Sequence, residues 1–248
     1  MKKLFYLILA ALLLTGAGLD AQTPYTKTFS PDGIVANRTG WSFWYMPTGV
    51  ADTLNIKISC IDTMMYSHTP HQHAHDELFI VLEGDAILYM NGEETLLHPG
   101  DGLICPGNST HNIQRTDPSR PIKYMMFTRE ARDRSGQVPH PFFKKDYKAA
   151  DCLVRFRKNR NFWYLSPKQT LGDMNVRNVF VRGKKVRKNP AGGQLAYVIM
   201  EGTAMVTVDG VPVRLPENSV CYVPKGSASS IVALSDRLRY LEVRTAAK

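Results

Sequence analysis

The apolar positions of this chain come in short runs separated by turn residues, the pattern of β-structure. Leu78-Phe-Ile-Val-Leu82 reads as a buried strand that ends at Gly84, where a tight turn favours a residue tolerant of positive φ. From Gly100 the pattern is a turn, a short strand to Cys105, a Pro106-Gly-Asn108 turn, and a return strand opening at His111. Asn108 suits a left-handed turn position almost as well as glycine. Later, Ala204-Met-Val-Thr-Val208 alternates and runs into Asp209-Gly210, a tight hairpin signal matched earlier by Asn91-Gly92. The fold class expected is all-β.

The pattern also repeats. Phe43-Trp44-Tyr45 recurs as Phe162-Trp163-Tyr164, Leu82-Glu-Gly84 as Met200-Glu-Gly202, Asn91-Gly92 as Asp209-Gly210, Pro106 as Pro224, and Asn108 as Gly226. From Gly84 onward the offset is a constant 118 residues, and the aromatic triplet is offset by 119. The chain therefore holds two tandem copies of one β module, spanning about 36–130 and 156–246. A charged, proline-bearing stretch around Arg132–Pro139 lies between them.

Chemistry concentrates in the first copy. His71 and His73, two apart, share one face of an extended segment, and Glu77 follows four residues later. A straight strand would hold the Cα atoms of His73 and Glu77 about 13 Å apart at ~3.3 Å per residue. Bonds from one metal ion to imidazole and carboxylate are only about 2 Å long. The chain must bend, with the bend expected at Ala74-His75-Asp76, so that Glu77 returns on the next strand.

These residues resemble the two signature motifs of the cupin superfamily. His71, His73, Glu77 and Gly84 fit its His-x-His-x3-Glu-x6-Gly, and Gly100, Pro106 and His111 fit its Gly-x5-Pro-x-Gly-x2-His-x3-Asn. Asn108 replaces a motif glycine and Arg115 the motif asparagine, neither of them a ligand position. The resemblance implies two tandem cupin barrels (double-stranded β-helix, or jelly-roll) with His71, His73, Glu77 and His111 binding one metal. His75 and Asp76 sit in the expected bend as second-layer or rim groups, and His68 at the rim. Shifted by 118, the four ligand positions land on Asn189, Ala191, Leu195 and Ser229, which cannot form a comparable site. The second copy keeps the turns and strands without the metal chemistry, so the quartet is not needed for packing.

Mixed nitrogen and oxygen ligation suits one divalent transition metal: Mn, Fe, Ni, Co or Zn. Acid–base or anion-clamping groups near it are sought among His75, Asp76, Tyr45, Tyr66 and Arg115, with His75, Tyr66 and Arg115 preferred as catalytic. Phe43, Trp44 and Tyr45 recur in the metal-free copy, which points to core or inter-module packing.

The chain opens Met-Lys-Lys followed by eleven apolar residues, Leu4 to Leu14. That run is too short for a membrane span of about 20 residues and suits a signal peptide. The expected organisation is a signal peptide at 1–21, a metal-binding cupin at 22–135, a linker at 136–155 and a degenerate cupin at 156–248. The mature protein would be exported, periplasmic or extracellular, with no transmembrane anchor. Four cysteines allow three pairings if two bridges form, and equally suit small buried positions.

Residues 22–146 carry 11 Lys and Arg against 14 Asp and Glu, whereas residues 147–248 carry 18 against 7. Behind a signal peptide this basic second half points to an anionic small molecule, glycan or membrane surface rather than nucleic acid. The function expected is a metal-dependent enzyme acting on a small oxygen-rich, anionic substrate of sugar-acid type by lyase, isomerase or ring-opening chemistry. An Fe-dependent dioxygenase and a non-catalytic, metal-stabilised binding module are the alternatives. A homodimer is among the assemblies expected.

Overall fold

The computed structural model describes residues 24–51, 54–129, 149–170 and 174–245. The signal-peptide assignment, and the centre of the linker around 132–139, lie outside the described residues.

Ten strands precede the linker: β1 (Thr26–Thr28), β2 (Val35–Asn37), β3 (Gly40–Met46), β4 (Leu54–Ile61), β5 (Asp76–Glu83), β6 (Ala86–Met90), β7 (Glu93–Leu97), β8 (Gly102–Cys105), β9 (His111–Arg115) and β10 (Ile122–Arg129). Beyond β10 come a short helix α1 (Ala149–Cys152), β11 (Leu153–Val154), β12 (Phe162–Leu165) and a second short helix α2 (Pro167–Thr170). Eight strands close the chain: β13 (Met174–Arg182), β14 (Val186–Asn189), β15 (Gln194–Glu201), β16 (Ala204–Val208), β17 (Val211–Leu215), β18 (Ser219–Val223), β19 (Ser229–Ala233) and β20 (Arg237–Thr245).

The strands form two barrels, each a large sheet facing a small one. The first pairs β11-β8-β5-β10-β4-β3-β2 with β7-β6-β9, and the second pairs β1-β18-β15-β20-β13-β12 with β14-β19-β16-β17. Two strands change sides. β1, from the N-terminal half, pairs Thr26 with Cys221 on β18, while β11, near the end of the linker, pairs Leu153 with Leu103 on β8. This exchange crosses the bounds drawn from sequence, since Thr26–Thr28 lie in 22–135 and Leu153–Val154 in the linker 136–155.

The repeat is visible residue by residue in the backbone. Asn91 and Asp209 (φ 51° and 47°), then Gly92 and Gly210 (93° and 86°), make equivalent two-residue hairpins. Asn108 and Gly226 occupy the same left-handed position (68° and 85°). Gly84 and Gly202 also have positive φ (74° and 85°), and a Cβ there would lie 2.5 Å from the Pro121 carbonyl oxygen or 2.3 Å from that of Arg237. Only glycine lets the starts of β10 and β20 approach these turns so closely.

The two large sheets pack against each other. The first hydrophobic core joins barrel residues such as Leu88, Leu97 and Ile113 to Val220, Leu241 and Val243 from the other half, whereas Val206, Ile231 and Tyr240 belong to a separate core in the second barrel. The repeated aromatic triplets sit at the junction and bond reciprocally. The Tyr45 hydroxyl donates to the Asn218 carbonyl at 3.0 Å, and that of Tyr164 donates to the Gly100 carbonyl at 2.5 Å. Tyr45, fully buried and committed to this contact, is thereby removed from the acid–base candidates. All four cysteines are buried and unbridged, and among the described residues no helix is long and apolar enough to cross a membrane.

Candidate metal centre

The bend expected at 74–76 is present, but it enters from a bridge rather than a full strand. His71 and His111 form a two-residue antiparallel bridge, their N–H groups donating to each other's carbonyls at 3.2 and 2.9 Å. The chain then turns, and β5 begins at Asp76. Asp76 is buried and accepts from the Gly107 N–H at 2.9 Å, while the Asn108 N–H donates to the His73 carbonyl at 2.6 Å. The Pro106-Gly-Asn108 turn is thus tied onto the bend, and Gly107 fits because a Cβ there would meet the Ala74 carbonyl at 2.3 Å. Asp76 orients this corner rather than facing the cavity.

Glu77, second on β5, is held between Cys105 on β8 and Thr128 on β10. His111 opens β9. The result is convergence. One ring nitrogen each from His71, His73 and His111 lie within 4.8 Å of one another. The Glu77 carboxylate reaches His73 Nε2 at 3.4 Å and His111 Nε2 at 3.2 Å. His111 Nδ1 lies 2.9 Å from the Ser109 carbonyl, which can only accept, so Nδ1 carries a proton; Nε2 faces the Glu77 carboxylate, donates to it when the ring is protonated, and is the nitrogen left to ligate when it is not. His73 Nδ1 is buried with no hydrogen-bond partner among the described residues. Three imidazoles, neutral when they ligate, with one buried carboxylate fit a single divalent transition metal.

The electrostatics follow from crowding. Burial would raise the Glu77 carboxyl, but the hydrogen bond from His111 and the nearby His73, His111 and Lys57 outweigh it and hold it below the usual range. Burial opposes protonation of His111, yet its contacts with Glu77 and the Ser109 carbonyl leave it raised. His71 is lowered by burial and then by His68, His111 and His73, and His68 is lowered chiefly by burial.

The cluster lies at one side of a cavity of about 420 Å³ whose wall is the inner face of β4, β5 and β10. Rows of side chains cross this sheet: Glu77, Thr128, Asn55, then Phe79, Met126, Lys57, then Tyr124 and Ser59. Lys57, Ser59, Tyr124 and Met126 line the cavity, with Arg38 and Thr39 at its edge. None of these, nor the lining role of His68, was singled out from sequence except His68 as a rim group. The lysine ammonium stands 4.9 Å from the centre of the Trp44 ring. Burial lowers its pKa, partly offset by Glu77.

The preferred catalytic candidates separate. His75 lines the cavity, its ring centroid 5.3 Å from that of His73. Arg115 does not reach the site: it sits at the far end of β9, 4 % exposed, donating to the Asp62 and Pro118 carbonyls at 3.1 and 2.9 Å. Its guanidinium ties down the loop after β4 and is no anion clamp. Tyr66 is exposed, bridges to Gln114 through its backbone, and is not among the lining residues.

The second barrel shows what stands at the same positions without ligands. Asn189 and Ser229 pair across β14 and β19 as His71 and His111 do. Tyr197 takes the place of Phe79, and its hydroxyl bonds both Asn189 and Ser229. Arg244 reaches Asn189 and, at 2.7 Å, the buried Glu242, which Arg187 approaches at 3.3 Å. A side-chain network fills the space.

Comparison with known proteins matches residues 62–128 to the cupin domain family. No curated protein matches the sequence. Among solved structures, protein Ylba from E. coli is 13% identical with a TM-score of 0.70, covering 95% of this chain and 96% of its own. Salicylate 1,2-dioxygenase from Pseudaminobacter salicylatoxidans is 13% identical with a TM-score of 0.67, covering 94% of this chain and 88% of its own. Lactobacillus farciminis oxalate decarboxylase, in a formate complex, is 13% identical with a TM-score of 0.67, covering 90% and 86%. Residues 62–128 match the cupin domain, and the full-length likeness to these structures shows that the chain has their fold of two tandem barrels.

Proposed function

We propose that this bicupin is an exported, metal-dependent enzyme acting on a small, oxygen-rich anionic substrate of sugar-acid type, by lyase, isomerase or ring-opening chemistry. The observation that carries the reading is the convergence of His71, His73, His111 and Glu77 at the side of a cavity large enough for such a molecule. Four protein donors would leave coordination positions for substrate oxygens, and the metal would supply Lewis acidity toward a carbonyl or α-hydroxy acid. The chain's own groups do the rest. Glu77 and the three histidines hold the centre, and the Ser109 carbonyl fixes the His111 tautomer. His75 stands in the wall as the group to exchange a proton with bound substrate. Ser59 and Tyr124 offer hydroxyls along the opposite rows, and Phe79 and Met126 keep the floor apolar. The basic lining, Lys57 and Arg38, favours an anion.

The test is turnover by metal-loaded protein of uronates, unsaturated uronates, keto-acids and flavonols, with and without oxygen. Oxygen-independent conversion of an acidic sugar, declining with salt, is expected. Oxygen uptake would replace this reading with an Fe-dependent dioxygenase. Tight ligand binding without turnover would replace it with a binding module.

A further inference from the structure

Resting on that reading, we infer that Lys57 is the specificity-determining seat for a carboxylate of the substrate, set apart from the metal-facing oxygens. The two barrels provide the comparison. In the second, the row across the large sheet reads Tyr197, Glu242, Arg177, so a buried carboxylate, itself ion-paired with Arg244 and Arg187, stands across the ladder from the cation. In the first, the same row reads Phe79, Met126, Lys57. Both cations rest on the tryptophan of the repeated triplet, Lys57 at 4.9 Å from Trp44 and Arg177 at 5.4 Å from Trp163. The aromatic shelf is therefore shared architecture. The carboxylate in the row is not, its place being taken by Met126.

A half-buried ammonium without a paired carboxylate is costly, because burial disfavours its charge. Glu77, the acid among the lining residues, is engaged by His73 and His111. Among the described residues no carboxylate ion-pairs with Lys57, and its side chain opens on the cavity, where an anion can supply the missing charge. Its distance from the centre sets the ligand's shape. Lys57 lies two strands across from β5 and one row along from Glu77, a Cα separation of about 12 Å at strand spacings of ~4.8 Å and ~3.3 Å per residue. The flexible lysine stem closes much of that gap. A molecule a few atoms long would then span ammonium and histidines, as a sugar acid does with its carboxylate at one end and hydroxyl or carbonyl oxygens at the other.

The test uses the full chain loaded with Co(II), read by its visible spectrum, and titrated with malonate, succinate and glutarate against monocarboxylates of equal length. One carboxylate would reach the cobalt and the second Lys57. At least one dicarboxylate should bind about tenfold more tightly than its monocarboxylate, the scale of one charge-assisted contact. Lys57→Met should bring that ratio close to one, and Lys57→Arg should retain most of it. In the metal-free chain the same dicarboxylates should alter tryptophan emission through Trp44, and Lys57→Met should abolish the change. A wild-type protein without dicarboxylate preference, or a preference that survives Lys57→Met, overturns the assignment while the metal reading stands. Failure to bind cobalt, with the Lys57-dependent emission change intact, overturns the metal reading and leaves the seat.

Discussion

The reciprocal tyrosines at the junction of the barrels should not be energetically equal. Tyr45→Phe and Tyr164→Phe each remove one hydroxyl from a buried, near-isosteric ring, so packing changes little. The acceptors differ. The Asn218 carbonyl that loses Tyr45 still accepts from the Phe29 N–H at 2.8 Å. The Gly100 carbonyl that loses Tyr164 has no other partner among the described residues. A lost but replaceable hydrogen bond costs about 0.5–1.5 kcal/mol, whereas leaving a half-buried acceptor such as the Gly100 carbonyl unpaired moves the cost toward about 1–3 kcal/mol. Tyr164→Phe should therefore be the more destabilising by roughly 1 kcal/mol, or about 2–4 °C in midpoint for a chain of this size. Urea unfolding of the metal-free variants, compared at equal m-value, measures the difference. Metal content should be unchanged in both. Equal costs, or a larger cost for Tyr45→Phe, would refute the accounting, and loss of metal from Tyr45→Phe would return that residue to the site.

Metal analysis should find about one equivalent per chain, lost when His73→Ala and His111→Ala are combined and unaffected by Asn189→Ala or Ser229→Ala. Metal affinity should fall as pH drops through roughly 6, because the ligands must be neutral. The raised His111 holds a proton in the metal-free chain to higher pH than an ordinary histidine, so loading near neutrality should release protons, as a lightly buffered calorimetric titration in two buffers would show. Gly202→Ala should destabilise by about 2–4 kcal/mol, summing a positive φ and a carbonyl collision, whereas Gly210→Ala, with nothing within 4 Å of its Cβ, should cost only about 1 kcal/mol.

Much of the fold was legible because turns punctuate it. Asn91-Gly92, Gly84 and Asn108 carry specific backbone angles, and their recurrence 118 residues later announced the second module. The metal quartet was legible because its residue types are rare together and absent from the other copy. The cavity wall was not. Leu54-Asn-Ile-Lys-Ile-Ser alternates as a half-exposed strand does, and alternation cannot distinguish a face turned to solvent from one turned to a cavity. Lys57 and Ser59 therefore read as ordinary surface. Arg115 misled in the opposite sense: a motif-adjacent cation invites a functional role, but its partners are two loop carbonyls, Pro118 close by in sequence and Asp62 far from it. The exchange of β1 and β11 left no trace either, since three- and two-residue strands carry no period.

That exchange binds the halves more than a linker does. Cut between 130 and 148, the N-terminal half would keep β1 with no β18 to pair and would present β8 as a bare edge, and the C-terminal half would bare β18. Bare edges recruit strands. Separately produced halves should therefore be poorly soluble alone and recover when mixed, each supplying the strand the other lacks. The metal-free barrel, whatever chemistry it has shed, would then be obligatory scaffolding for its partner, and its genetic loss would remove the metal centre without touching a ligand.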